Sequence, residues 1–135
     1  MALLEGIKVI DFSKWLPGQY CGMLLGDYGA DVVKIEDLQG DATRRFWPEK
    51  TKGMSYWHLM LNRNKRGVAL NLKKDGGRDL LLKLLQEADV FWRASVRDIW
   101  RVMDWIMQAC TKSIRVWCTA RLPASARNRI SRRMI

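Results

Sequence analysis

Apolar positions along the chain come in two rhythms that take turns: short dense runs, and longer stretches spaced three or four residues apart. Lys8-Val-Ile-Asp-Phe12 is a short apolar run after Gly6 and predicts a strand. Pro17-Gly18 then opens a segment with Tyr20, Met23, Leu24 and Tyr28 at helical spacing, closed by Gly29. Ala30 to Glu36 predicts a second strand, its apolar residues too dense for a surface hairpin and typical of a parallel sheet covered on both faces. Asp37 to Gly53 is polar and predicts a loop. Ser55 caps a short helix through Leu61, and Val68-Ala-Leu-Asn-Leu72 predicts a third strand. Asp75-Gly-Gly-Arg-Asp79 opens a helix whose apolar face is Leu80, Leu81, Leu84 and Leu85, and Ala88 to Phe91 begins a fourth strand. Strand and helix alternating in this way, with short connections, imply an α/β protein built on a doubly wound parallel sheet.

The rhythm stops at Phe91, and composition changes there too. Through residue 90 there are 14 basic and 12 acidic residues; after it there are 10 and 2, so most of the net charge of +10 lies in the last third. All ten glycines lie at or before Gly77, whereas Trp92, Trp100, Trp105 and Trp117 crowd the remainder. Two parts are therefore expected: residues 1–91, the sheet, and residues 92–135, an irregular or weakly helical basic tail. In the tail, Val102, Trp105, Ile106 and Ala109 share one face of a weakly amphipathic helix. Apolar runs fall short of the roughly 20 residues a membrane-spanning helix needs, and Met1 to Ile10 has no signal-peptide pattern, so a cytoplasmic protein without a membrane partner is expected. Cys21, Cys110 and Cys118 form no CxxC pair, which argues against a disulfide framework or a metal site.

In open parallel sheets, ligands sit beyond the carboxyl ends of the strands, which singles out Ser13 to Gly18, Asp37 to Arg45 and Asn71 to Asp75. Pro17-Gly18 starts a helix, where backbone N–H groups can receive an anion, although the same pair also merely turns a chain. Arg44, Arg45, Arg63, Lys65 and Arg66 could gather around phosphates; a solvated basic face is the plainer reading. His58, the one histidine, stands among Tyr56, Trp57, Leu59 and Met60, which favours packing or capping over catalysis. Asp11, after the first strand, is a candidate carboxylate base, and Met54, Trp57 and Met60 read as core. GxGxxG, GxxxxGK[ST], GxSxG and HExxH do not occur, so the usual dinucleotide, P-loop, esterase and zincin signatures lack their residues.

Read together, Leu4 to Phe12, Pro17-Gly18, Leu25 to Glu36, Gly40-Asp41 with Arg44, Asn62 to Arg66, Leu70 to Lys73 and Ala88 to Phe91 closely resemble the N-terminus of the class III CoA-transferases, the CaiB/BaiF type. The resemblance covers about two thirds of the chain. It implies a partial Rossmann-like domain that binds coenzyme A or an acyl-CoA as substrate, with no metal. It further implies a whole enzyme, a homodimer, that moves CoA between an acyl-CoA and a carboxylic acid through acyl-enzyme anhydrides. Family positions contacting CoA map onto Leu16 and Pro17 after the first strand and onto Leu70, Asn71, Leu72 and Lys73 at the end of the third. The resemblance assigns the family's catalytic aspartate to no residue of this chain, which implies a truncated, inactive transferase that is prone to self-association.

Beyond Phe91 the family pattern departs in the protein frame. Joining each codon's last base to the next codon's first two permits L-E-G-F-R-P-G-Y-M and then G-L-D-Y-A, in family order, which points to a one-base frameshift near codon 91. Two other classes of function stand beside the truncated transferase. One is a non-catalytic CoA-binding or interaction module. The other is a nucleic-acid or anionic-surface binder acting through the tail, for which arginines without a folded platform give weak support.

Overall fold

The computed structural model describes residues 2–94 and 116–120. Strand β1 (Lys8–Asp11) leads into helix α1 (Trp15–Asp27) and strand β2 (Asp31–Glu36). A single 3-10 turn (Ala42–Arg45) and a two-stranded antiparallel ribbon, β3 (Glu49–Thr51) and β4 (Met54–Ser55), precede the short helix α2 (Tyr56–Leu61). Strand β5 (Lys65–Ala69), helix α3 (Asp75–Gln86), strand β6 (Val90–Ala94) and strand β7 (Val116–Ala120) follow. Five strands form one sheet in the order β5-β2-β1-β6-β7, every pair parallel. The chain steps outward from β1 to β2 to β5 and then crosses to β6 on the other side of β1, so the order of connection reverses at β1.

The two faces of the sheet divide according to the period-two alternation of β side chains. Ile10, Phe12, Val33, Ile35 and Phe91 point to one face, where Leu81 and Leu85 of α3 close over them, and Phe12 and Phe91 stack with ring centroids 6.2 Å apart. Val9 and Val32 point to the other, joined by Ala30 and Leu25 beside α1. Burial on both faces explains why β1 and β2 read as continuous apolar runs.

Helix α1 buries a face that apolar spacing does not reveal. Tyr20 and Tyr28 are exposed, and the buried residues are Gly18, Gln19, Gly22, Met23 and Gly26. A Cβ at Gly22 would collide with Asp11 Oδ2, so only glycine lets the helix lie this close to β1. The α2 prediction holds: Ser55 Oγ accepts from the His58 N–H at 3.0 Å and caps the helix. Met54, Trp57 and Met60, read as core, are instead partly exposed along α2 and the preceding strand.

Three further expectations are corrected. The third predicted strand lies at Lys65–Ala69 rather than Val68–Leu72, because Lys65 and Arg66 find carboxylate partners within the sheet and their polarity hid the strand's start. The ribbon formed by β3 and β4 interrupts the polar stretch read as a loop. The sheet also continues past Phe91: β6 runs to Ala94, and β7 pairs with it from Val90↔Val116 to Ala94↔Ala120, where an irregular or weakly helical tail was expected. The helix read over Val102, Trp105, Ile106 and Ala109 lies outside the described residues. Among the described residues no helix is long and apolar enough to cross a membrane.

Candidate functional site

Beyond the carboxyl ends of β1, β2 and β5 lies an open cleft of about 650 Å³. Its floor is apolar, made by Phe12, Ile35, Leu70 and Leu72. Lys14 comes from the turn after β1, Asp37, Leu38 and Gln39 from the end of β2, Asn71 and Lys73 from the end of β5, and Arg78 from the first turns of α3. A smaller hollow of about 160 Å³ adjoins it, sharing Lys14, Ile35, Glu36 and Asp37 and adding Trp15, Gly40, Asp41, Ala42 and Arg45.

Local chemistry holds the β5 side of the cleft in shape. Asn71 Oδ1 accepts from the Lys73 N–H at 3.1 Å and the Asn71 carbonyl from the Lys74 N–H at 3.1 Å, a side-chain and backbone turn typical of asparagine. Arg78 Nε donates to the Leu72 carbonyl at 2.9 Å, tying the loop to α3. Any side chain at Gly77 would run into the Asn71 carbonyl, so glycine permits this close approach of loop and helix. Lys73 itself is exposed and forms no ion pair among the described residues. On the β2 side, Asp37 Oδ1 accepts from the Gln39 N–H at 3.0 Å, and its Oδ2 stands 3.9 Å from Lys14 Nζ, with both side chains about half exposed.

Of the six residues assigned to CoA, Leu70, Asn71, Leu72 and Lys73 line this cleft together. Leu16, half-buried, and Pro17, exposed, sit in the first turn of α1 and are not among its lining residues. Next to them, Trp15 adopts φ 68°, a left-handed conformation that costs a bulky residue on the order of 1–3 kcal/mol, and its ring lies 6.1 Å from that of Phe46. No pattern in the sequence announces that conformation.

The remaining candidates belong to a different structure. Asp11 is fully buried and paired with Lys65 at 2.9 Å, so it is not open to act as a base on a ligand. Burial lowers the Lys65 pKa below its usual value, against the opposing pull of the Asp11 carboxylate. Lys65 Nζ also donates to the Gln19 carbonyl at 2.8 Å and Asn62 Oδ1 at 3.2 Å. Lys34, equally buried, donates to the Ser13 carbonyl at 3.0 Å and faces Asp41 at 3.5 Å. Gln19, Asp41 and Thr43 close the network, with His58 Nδ1 3.2 Å from both Thr43 Oγ1 and Asn62 Nδ2. Burial holds the His58 pKa below the ordinary imidazole value, and the residue packs as its setting implied.

The five basic residues that could have gathered around a phosphate are scattered. Arg44 makes two bonds to Glu36, at 2.8 and 3.0 Å; Arg63 pairs with Asp27 and Arg66 with Asp31, while Arg45 borders the small hollow.

A parallel α/β sheet with a ligand-sized cleft beyond its strand ends defines the class of protein. Within that class the chain belongs to CoA-transferase family III, whose family model matches residues 4–109. An acyl-CoA transferase of Fusarium pseudograminearum is 43% identical over 96 residues, which is 64% of this chain and 21% of that protein. The (R)-2-hydroxy-4-methylpentanoate CoA-transferase of Clostridioides difficile is 40% identical over 93 residues, 66% of this chain and 23% of that protein. The crystal structure of a CaiB/BaiF family protein from Brucella suis superposes with a TM-score of 0.77 at 27% identity, covering 87% of this chain and 33% of the other. The chain thus spans about a fifth to a quarter of the length of these curated relatives.

Proposed function

We propose that this chain supplies the nucleotide-holding edge of a class III CoA-transferase and that the cleft beyond β1, β2 and β5 receives coenzyme A or the CoA part of an acyl-CoA. The observation that carries this reading is the convergence of Leu70, Asn71, Leu72 and Lys73 on one cleft with an apolar floor. Lys73 is suited to a phosphate and the floor to adenine, with Leu16 and Pro17 meeting the ligand at the start of α1. The reaction served is transfer of CoA between an acyl-CoA and a carboxylic acid. Residues 1–135 alone do not perform it, because the transfer needs the family's catalytic aspartate, a role the resemblance assigns to no residue of this chain. Asp11 and Asp41 are buried in ion pairs, and Glu36 is tied to Arg44.

The test is calorimetric titration of the 135-residue chain with CoA, together with a CoA-transfer assay using succinyl-CoA and acetate. The expected dissociation constant is roughly millimolar, weakened several-fold in Lys73→Ala, with no transfer above the blank. Micromolar binding indifferent to Lys73→Ala would place the ligand elsewhere, and turnover abolished by a substitution within the chain would overturn the inactive reading.

A further inference from the structure

Lys34, on β2, is 1% exposed, and an ammonium group so far from water is costly unless its bonds are well directed. Its Nζ donates to the Ser13 carbonyl at 3.0 Å and stands 3.5 Å from Asp41 Oδ2. Those two partners belong to different loops. Ser13 lies in the turn between β1 and α1, and Asp41 caps the 3-10 turn after β2, its Oδ1 accepting from the Thr43 N–H at 2.8 Å. Lys34 lines neither the cleft nor the adjoining hollow, so it meets no ligand in either.

Both loops wall the hollow. Lys14 and Trp15 enter it from the first, and Gly40, Asp41, Ala42 and Arg45 from the second. The first loop is gripped where it leaves β1: the Ser13 N–H donates to Asp11 Oδ1 at 2.9 Å while the Ser13 carbonyl accepts from Lys34. Two residues further on, Trp15 turns through φ 68°, a conformation that persists for a bulky side chain only where its surroundings over-determine it. The Ser13 anchor and the Phe46 ring, 6.1 Å from that of Trp15, supply that restraint from two sides. Lys65 offers a comparison within the same network. It pairs with Asp11 at 2.9 Å and donates to the Gln19 carbonyl and to Asn62, and none of these three residues lines the hollow or the cleft.

We propose that Lys34 is a positioning residue for ligand binding. It fixes the turn after β1 against the turn after β2, and so holds the hollow and the Lys14 side of the cleft in shape without touching what binds there. The inference rests on the reading of the cleft as a CoA site and adds the residue that keeps one wall of it in place. Local charge does not account for the role. Lys34, Lys65 and Arg44 face Asp41, Asp11 and Glu36, three cations against three carboxylates, while Lys14, Asp37 and Arg45 stand on the rim. Removing one buried pair whole leaves that balance as it was, so a change in binding then reports geometry.

The experiment labels the full 135-residue chain with 5-fluorotryptophan and titrates it with CoA by fluorine NMR, the Trp15 line being identified by its loss in Trp15→Phe. Lys34→Met alone strands the Asp41 carboxylate, so the variant is Lys34→Met with Asp41→Asn, which keeps an oxygen for the Thr43 N–H. Its control is Lys65→Met with Asp11→Asn, which keeps an oxygen for the Ser13 N–H. The Lys34 pair is expected to weaken CoA about five- to tenfold, as the share of chains with both turns in place falls by that factor, and to shift the Trp15 line before any ligand is added. The Lys65 pair should keep the affinity within about twofold and the Trp15 line in place, even where its urea midpoint falls as far. Equal weakening by the two pairs, or a Lys34 pair that leaves affinity and Trp15 line unmoved, would overturn the assignment of Lys34 while leaving the cleft a CoA site. Absence of CoA binding by the wild type would overturn the CoA reading and the binding role with it, while the Trp15 line would still decide whether Lys34 sets the turn.

Discussion

Two sets of charged side chains sit a few residues apart, on or just after the same three strands, and do opposite work. Beneath α1 and α2, Asp11, Lys34, Asp41 and Lys65 are withdrawn from water and every charge meets a partner, with Gln19, Thr43, His58 and Asn62 filling the remaining bonds. Among the described residues, one buried side-chain atom, Ser13 Oγ, lacks a hydrogen-bond partner. At the cleft the picture reverses: among the described residues Lys73 has no ion pair, and Asp37 and Lys14 share one loose, half-exposed contact. A charge that is fully partnered inside the protein fixes how helices and strands meet, while one left open at a strand end remains available to a ligand. The two sets are told apart by burial and partners, not by residue type.

The sharpest way to break this contrast is to remove one member of the buried set. Lys65→Met leaves Asp11 buried with the Ser13 N–H as its remaining bond, and is expected to cost about 3–5 kcal/mol of stability. Arg66→Met, which removes the exposed pair with Asp31, is expected to stay within about 0.5 kcal/mol. Urea denaturation of both variants checks this. Equal midpoints would mean that Lys65 and Asp11 do not form the buried pair on which α1 is seated.

The contrast also explains what could be read from the sequence. Strands β1 and β2 and the Leu81 and Leu85 face of α3 announce themselves because burial on a sheet demands apolar side chains at fixed spacing. The cleft residues Leu70 to Lys73 were reached through family resemblance and through the rule that ligands sit at strand ends. The buried network was illegible for a physical reason. Gly22 and Gln19 carry no apolar signal, Lys34 and Lys65 resemble solvent-facing residues, and their carboxylate partners, Asp41 and Asp11, lie 7 and 54 positions away along the chain. Arg44, Arg63 and Arg66, adjacent in any reading of charge, are separated by the carboxylates that claim them.

A smaller effect follows from acid. Burial disfavours the charged forms of Glu36 and Asp41, yet hydrogen bonds and the nearby cations Arg44 and Lys34 outweigh it and hold both carboxyls below their ordinary values. A carboxyl with a depressed folded value contributes stability that is present above the unfolded value and lost as pH falls through the folded one. His58 adds to the same trend, because an imidazole held neutral in the fold is protonated first in the unfolded chain, from about pH 6.5 downward. The urea midpoint should therefore soften below pH 6.5 and fall more steeply below about pH 4.5. Glu36→Gln should cost about 1–2 kcal/mol at pH 7 and flatten the lower step while leaving the upper one. A wild-type midpoint level from pH 7 to pH 4 would mean that these groups titrate in the fold as they do unfolded.

The smallest expected effect tests the open side of the contrast. Lys73 is exposed, its backbone N–H rather than its ammonium group braces the loop, and its side chain is in no ion pair among the described residues. Removing it takes nothing from the folded chain that water does not replace, so Lys73→Ala should move the stability by no more than about 0.5 kcal/mol. The same substitution should weaken CoA several-fold, so that binding and stability part company at this residue as they do not at Lys65. Parallel titration and urea denaturation of Lys73→Ala decide the matter. A loss of stability as large as the loss of binding would show that Lys73 belongs with the buried set, as a structural cation, and that the cleft owes its shape to the charge it was thought to offer.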